Sequence, residues 1–128
     1  MLRNILGENS SQESDITSQI RTGFKNLLFI CSAGLQRSPT AAELFQKQGY
    51  NTAFAGMYAA DEKAVTIEKL RWADKVFVME SRHREDLQRR FPEFSDTGCV
   101  YILGIPDIYV RNDPELKTLL KKKVEPHL

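Results

Sequence analysis

A chain of 128 residues, 41% of them hydrophobic, can fill one ordinary core, which argues against a multidomain architecture. Its 18 lysines and arginines stand against 17 aspartates and glutamates, so no overall field draws it to nucleic acid or to a membrane surface, and any preference for anions has to be local. No run reaches transmembrane length, and the opening "MLRNILGENSSQ" lacks both the apolar stretch and the small-residue cleavage site of a secretory signal; with only two cysteines, a cytoplasmic, reducing setting is predicted.

Residues 1–23 are polar and rich in Ser and Gln, with scattered apolar residues (Ile5, Leu6, Ile16, Ile20) that keep no period. They read as a flexible extension with room for a short helix near Ser14 to Ile20, ahead of one domain over residues 24–128. "NLLFI" (Asn26 to Ile30) is an apolar run without alternation, the pattern of a strand buried on both faces of a parallel sheet. Ser38 offers an N-cap and Pro39 a first-turn residue for a helix whose apolar stripe (Ala41, Ala42, Leu44, Phe45) runs to a stop at Gly49.

The cycle repeats along the chain. "TAFAG" predicts a second strand ending at Gly56, "TIEKLRWA" a short helix from Thr66 with Trp72 in the core, and "KVFVM" a third strand with Met79 buried. "SRHREDLQRRF" predicts a helix from Ser81 that stops before Pro92, and "CVYIL" a fourth strand opened by a buried Cys99. In "DPELKTLLKKKV", Asp113 is the cap and Pro114 the first residue of a last helix. Strands alternating with helices of this length imply an α/β fold: a doubly wound, four-stranded parallel sheet with helices on both faces.

Ligands in such sheets bind beyond the carboxyl ends of the strands, which is where the segment Cys31 to Arg37 falls. A strand-to-helix turn that contains Gly34 and ends in Ser38 and Pro39 can aim successive backbone N–H groups inward at the positive end of a helix, which makes a cradle for phosphate. The same field stabilises a thiolate at Cys31, the nucleophilic form, and the planar fork of Arg37 can hold two phosphate oxygens. Taken singly, a buried Cys and a solvated Arg are ordinary. A cysteine, five residues, an arginine and then a hydroxyl residue, set between a strand and a helix, is the pattern of cysteine-dependent phosphatases.

"LLFICSAGLQRSPTAAELF" resembles the low-molecular-weight protein tyrosine phosphatases, as do "RWADKVFVMESRHREDL" and "ILGIPDIYVRNDPEL"; the resemblance runs from about Phe24 to the end. It implies that Cys31 attacks the phosphoryl group, Arg37 holds it, Ser38 hydrogen-bonds the thiolate, and Asp107 serves as general acid and then base, without metal or cofactor. Asp113 is the competing aspartate, with the ordinary job of a helix cap. The sequence departs from the family at four places: Gly34 replaces the loop-bracing Asn, Phe54 the Ser that supports it, Gln36 a second cysteine found in many members, and Ile108 the proline after the acid. Glycine suits a left-handed backbone position there, so the loop can keep its shape with fewer braces.

Ser32, Ala33, Gly34, Leu35 and Gln36 are the predicted phosphate-binding loop. Tyr58, Tyr109 and Leu35 are candidates to wall an aryl slot, with core packing the competing role for each tyrosine. Arg82, His83 and Arg84 occupy a first helical turn where acidic residues are favoured, so they form either a positive rim for an anionic substrate or a solvated face. The expected activity is hydrolysis of a phosphomonoester, on a phosphorylated protein or a small aryl phosphate. Dephosphorylation of arginine is a further possibility, against which Leu35 favours an aryl group. From another class, the alternative is a phosphate-binding module of the same fold with little turnover.

Overall fold

The computed structural model describes residues 25–94 and 99–128; the extension and its short helix lie outside them. Four strands, β1 (Asn26–Cys31), β2 (Asn51–Gly56), β3 (Lys75–Val78) and β4 (Val100–Ile102), form one parallel sheet in the order β2-β1-β3-β4. The register places Cys31 beside Gly56 and Ile30 beside Val78. The helices are α1 (Arg37–Gln46), α2 (Ile67–Trp72), α3 (Ser81–Arg90) and α4 (Pro114–Val124), followed by a 3₁₀ turn at Glu125–His127.

The unbroken apolar run of β1 follows from its central place. Leu27, Phe29 and Cys31 face one side, where Ala41 and Phe45 of α1 and Leu116, Leu120 and Val124 of α4 cover them. Leu28 and Ile30 face the other side, against Leu70 of α2 and Leu87 of α3. Alternate residues therefore go to opposite, equally dry layers, and no polar face remains. Phe29 stacks between Phe45 and Phe77, with ring centroids 5.7 and 5.3 Å away.

The chain leaves β1 for β2 on one side and returns to β3 on the other. Loops after β1 and β3 therefore diverge, and the crevice between them is the switch point at which open α/β sheets bind ligands. Cys31 ends one of those strands and Glu80 follows the other.

Three expectations are corrected in detail. Helix α1 begins two residues early, with Gln36 rather than Ser38 at the N-cap, because the Ser38 hydroxyl is turned inward to Cys31 and Ala55. Trp72 is 39% exposed: α2 has only six residues and buries Leu70, and two positions on lies more than half a turn round the helix. Cys99 is half-buried, because it leads into β4 at the sheet edge. Asp113 is the cap predicted, accepting from the amide of Glu115, and Thr66, the predicted helix start, caps α2 by accepting from the amide of Lys69.

Candidate active site

The loop after β1 wraps around the Cys31 sulfur. Gly34 has φ of 72°, the left-handed conformation glycine adopts without strain, and its N–H points at Sγ from 3.3 Å. Ser38 Oγ lies 3.1 Å from the same sulfur and 3.3 Å from the Ala55 carbonyl oxygen. With a thiol, Cys31 can donate to Ser38 while Ser38 donates to Ala55; with a thiolate, the Ser38 proton turns to sulfur. Amides of Met57 and Tyr58 donate to the carbonyls of Cys31 and Ser32, tying the loop to the end of β2.

That tie explains the glycine at the end of β2. A Cβ on Gly56 would lie 2.5 Å from the Ala33 carbonyl carbon and 2.8 Å from the Gly34 nitrogen, both backbone atoms. Gly56→Ala is therefore expected to push the loop outward, costing about 1–3 kcal/mol as overpacking does. Thermal unfolding and orthophosphate titration check it; unchanged stability and affinity would show that the loop yields freely.

Arg37 reaches back from the first turn of α1 and is almost wholly buried. Its Nη1 donates to Glu80 Oε2 at 2.5 Å and to the Ile105 carbonyl at 2.7 Å, and its Nη2 lies 3.3 Å from Ser32 Oγ. Nε has no partner among the described residues. One edge of the guanidinium is thus anchored, while Nε and a loosely held Nη2 form an open fork of the spacing that grips two oxygens of a phosphate. A buried donor left unpaired costs about 1–3 kcal/mol, which a bound oxyanion would recover.

Glu80 and His83 form the back of the site. The hydrogen bond from Arg82, and then that from Arg37, hold the Glu80 carboxyl down at about 2. His83 is fully buried; burial above all, with Arg37 and Arg82 nearby, lowers its ring to about 4 and keeps it neutral. Its Nδ1 accepts the Glu80 amide at 3.1 Å, so Nε2 carries the proton and donates to Ser32 Oγ at 2.9 Å. Of the predicted rim, only Arg82 stands out in solvent, with its guanidinium over the Tyr58 ring; His83 belongs to the interior.

Asp107 sits on the segment after β4, and that segment is pinned at both ends. Ile105 binds Met79 and Arg37, while the amides of Arg111 and Asn112 donate to Gln36 Oε1 at 2.6 Å and Thr40 Oγ1 at 2.9 Å. Asp107 is 57% exposed, with Oδ1 3.8 Å from Arg37 Nη2. Together with Cys31, Ser32, Ala33, Leu35, Gln36 and Arg37 it lines a cavity of about 250 Å³. Asp113 instead accepts from the Glu115 amide as a cap. A larger cavity of about 580 Å³ between α1 and β2 is lined by Pro39 but by no residue of the Cys31 to Arg37 loop.

Leu35, which lines the cavity, is 52% exposed; Tyr58 is not among the lining residues and is also open, its hydroxyl donating to Asp86, a bond that raises its pKa. Tyr109 packs partly against the core on the α1 and α4 side, whereas its neighbours Ile108 and Val110 are the exposed apolar residues of that segment. The Glu80 and His83 pair was not foreseen in its roles. Its only signal is the Glu-x-x-His spacing at a helix start, which is that of a capping box. Among the described residues, no three His, Cys, Asp or Glu side chains are grouped to hold a metal, and no helix is long and apolar enough to cross a membrane.

No protein-family model and no curated protein matches the chain. Solved structures do. The tyrosine phosphatase Wzb from Escherichia coli K30, in complex with phosphate, is 25% identical with a TM-score of 0.63, over 81% of this chain and 96% of that one. A cysteine-to-serine variant of the YwlE arginine phosphatase, with a phosphorylated active-site serine, is 21% identical with a TM-score of 0.60, over 78% and 95%. The low-molecular-weight protein tyrosine phosphatase from T. tengcongensis is 20% identical with a TM-score of 0.60, over 80% and 99%. The resemblance carried by the Cys31 to Ser38 loop therefore extends through the described domain, whose fold is that of the low-molecular-weight tyrosine phosphatases.

Proposed function

We propose that this protein hydrolyses phosphomonoesters through a phosphocysteine intermediate, with aryl phosphates of the phosphotyrosine type as substrates. The observation that carries the reading is the unpaired Arg37 Nε beside Cys31, in a cavity that Asp107 also lines. The Cys31 thiolate attacks phosphorus and the ester P–O bond breaks. Asp107, in its acid form, gives its proton to the departing oxygen. Asp107 then takes a proton from water, whose oxygen attacks phosphorus; the S–P bond breaks, and orthophosphate and the thiolate result. Arg37 and the loop amides stabilise the charge on the equatorial oxygens throughout.

Support for the covalent step comes from the YwlE variant, where a serine in an active site carries a phosphoryl group. Leu35, which lines the cavity and is half exposed, offers an apolar surface that suits an aryl ester better than the guanidinium of phosphoarginine. The mechanism calls for neither metal nor cofactor, and a working thiolate suits the reducing cytoplasm. Hydrolysis of p-nitrophenyl phosphate and phosphotyrosine in EDTA tests the reading. Orthophosphate binding without turnover would favour a binding module, the alternative that Gly34 and Phe54 keep open by replacing the family's loop braces.

The acid is tested by leaving-group dependence. Asp107→Asn is expected to slow phenyl phosphate on the order of 100-fold, the usual contribution of a general acid, and p-nitrophenyl phosphate far less. Asp113→Asn should change stability by only a fraction of a kcal/mol, roughly the difference between two good caps. The opposite pattern would transfer the role to Asp113.

A further inference from the structure

Ser32 Oγ is the meeting point of three N–H donors: His83 Nε2 at 2.9 Å, Arg82 Nη2 at 3.0 Å and Arg37 Nη2 at 3.3 Å. A hydroxyl oxygen has two lone pairs, so these donors saturate it, and none of the three can accept the hydroxyl proton in return. His83 cannot take it at Nε2, because Nδ1 already accepts the Glu80 amide and the ring proton is therefore on Nε2. The proton of Ser32 is left to point elsewhere, and Ser32 is one of the residues lining the cavity that holds Cys31 and Arg37. Three positively polarised groups on one oxygen also make its hydroxyl a stronger donor than an isolated serine, since bonds in a chain polarise one another.

Resting on the phosphatase reading, we infer that the Ser32 hydroxyl is a further donor to the bound phosphoryl group, and that buried His83, held by Glu80, is the positioning residue that aims it. Ser32 thus contributes by its side chain, not only by the backbone of the loop. His83 acts wholly through Ser32 and touches no substrate. The third contact, Arg37 Nη2, is the longest of the three and is the one freed to turn to a phosphate oxygen when that oxygen arrives.

The test measures orthophosphate affinity by calorimetry, and kcat and KM with p-nitrophenyl phosphate, for wild type, Ser32→Ala, Ser32→Thr, His83→Gln, His83→Leu and Ser32→Ala/His83→Leu, with folding checked by circular dichroism. Loss of a hydrogen bond to a charged group predicts orthophosphate affinity about tenfold or more weaker in Ser32→Ala, and Ser32→Thr, which keeps the hydroxyl, within about threefold of wild type. His83→Gln, whose amide N–H reaches about as far as Nε2, should recover most of what His83→Leu loses. In the Ser32→Ala background His83→Leu should cost no further affinity. If His83→Leu does not fold, the Ser32 pair and His83→Gln still decide. Equal affinity in Ser32→Ala and wild type overturns the inference while leaving the phosphatase reading intact. A wild type that binds orthophosphate without turnover overturns that reading, and the inference then stands or falls on affinity alone. A wild type that neither binds nor hydrolyses overturns both.

Discussion

Cys31→Ser is expected to abolish turnover while orthophosphate still binds. The sulfur has the Gly34 amide at 3.3 Å and the Ser38 hydroxyl at 3.1 Å, so a negative charge there has two donors before any substrate arrives. A neutral hydroxyl has the wrong charge to attack, yet it fits the same space and removes the repulsion between a thiolate and a phosphate dianion. Binding itself rests on Arg37 and the loop, which the substitution leaves in place. Turnover above about one per cent of wild type would sink the covalent mechanism, because a nucleophile contributes at least two decades. A phosphoryl group found on the introduced oxygen by mass spectrometry would instead be the same bond change halted before hydrolysis. Loss of orthophosphate binding in a folded variant would mean that the sulfur, and not the loop, holds the anion.

Elements written in local signals were legible in the sequence. The unalternating run of β1 predicted burial on both faces, Thr66 and Asp113-Pro114 marked two helix starts, and the Cys31 to Ser38 spacing marked the loop. What was not legible depends on partners far along the chain. Glu80 is one acidic residue among 17 until parallel pairing of β1 with β3 brings it to Arg37, 43 residues away. His83 read as rim or solvated face because a basic residue in a first helical turn breaks the preference for acidic ones there. Only the approach of α3 to the sheet shows that its ring is buried and meets Ser32, 51 residues earlier. Trp72 misled for the complementary reason: large apolar residues usually enter cores, but a helix of six residues has too little surface to bury two sides.

Replacing Glu80 with Gln should cost stability, and the loss should depend on pH. Glu80 faces Arg37 and Arg82, and its carboxyl lies at about 2 against an ordinary 4.5. A carboxyl whose folded value is depressed contributes stability fully above its unfolded value, and that contribution disappears as pH falls from about 4.5 to about 2. The shift corresponds to about 3–4 kcal/mol at pH 7, an upper bound because Glu80 is only partly buried. The part shared with Arg82 is exposed and screened by salt, whereas the bond to the buried Arg37 guanidinium is not. Glu80→Gln keeps an oxygen for Arg37 Nη1 but leaves the buried cation with only the exposed Asp107 carboxylate, 3.8 Å from Nη2, as counter-charge. Denaturant unfolding of both proteins between pH 7 and pH 2 is the measurement. The gap should be widest at neutral pH, persist in part at high salt, and close towards pH 2. A gap of constant size across that range would show that Glu80 stabilises the fold by shape and not by charge, and Arg37 would then need another source for its fixed orientation.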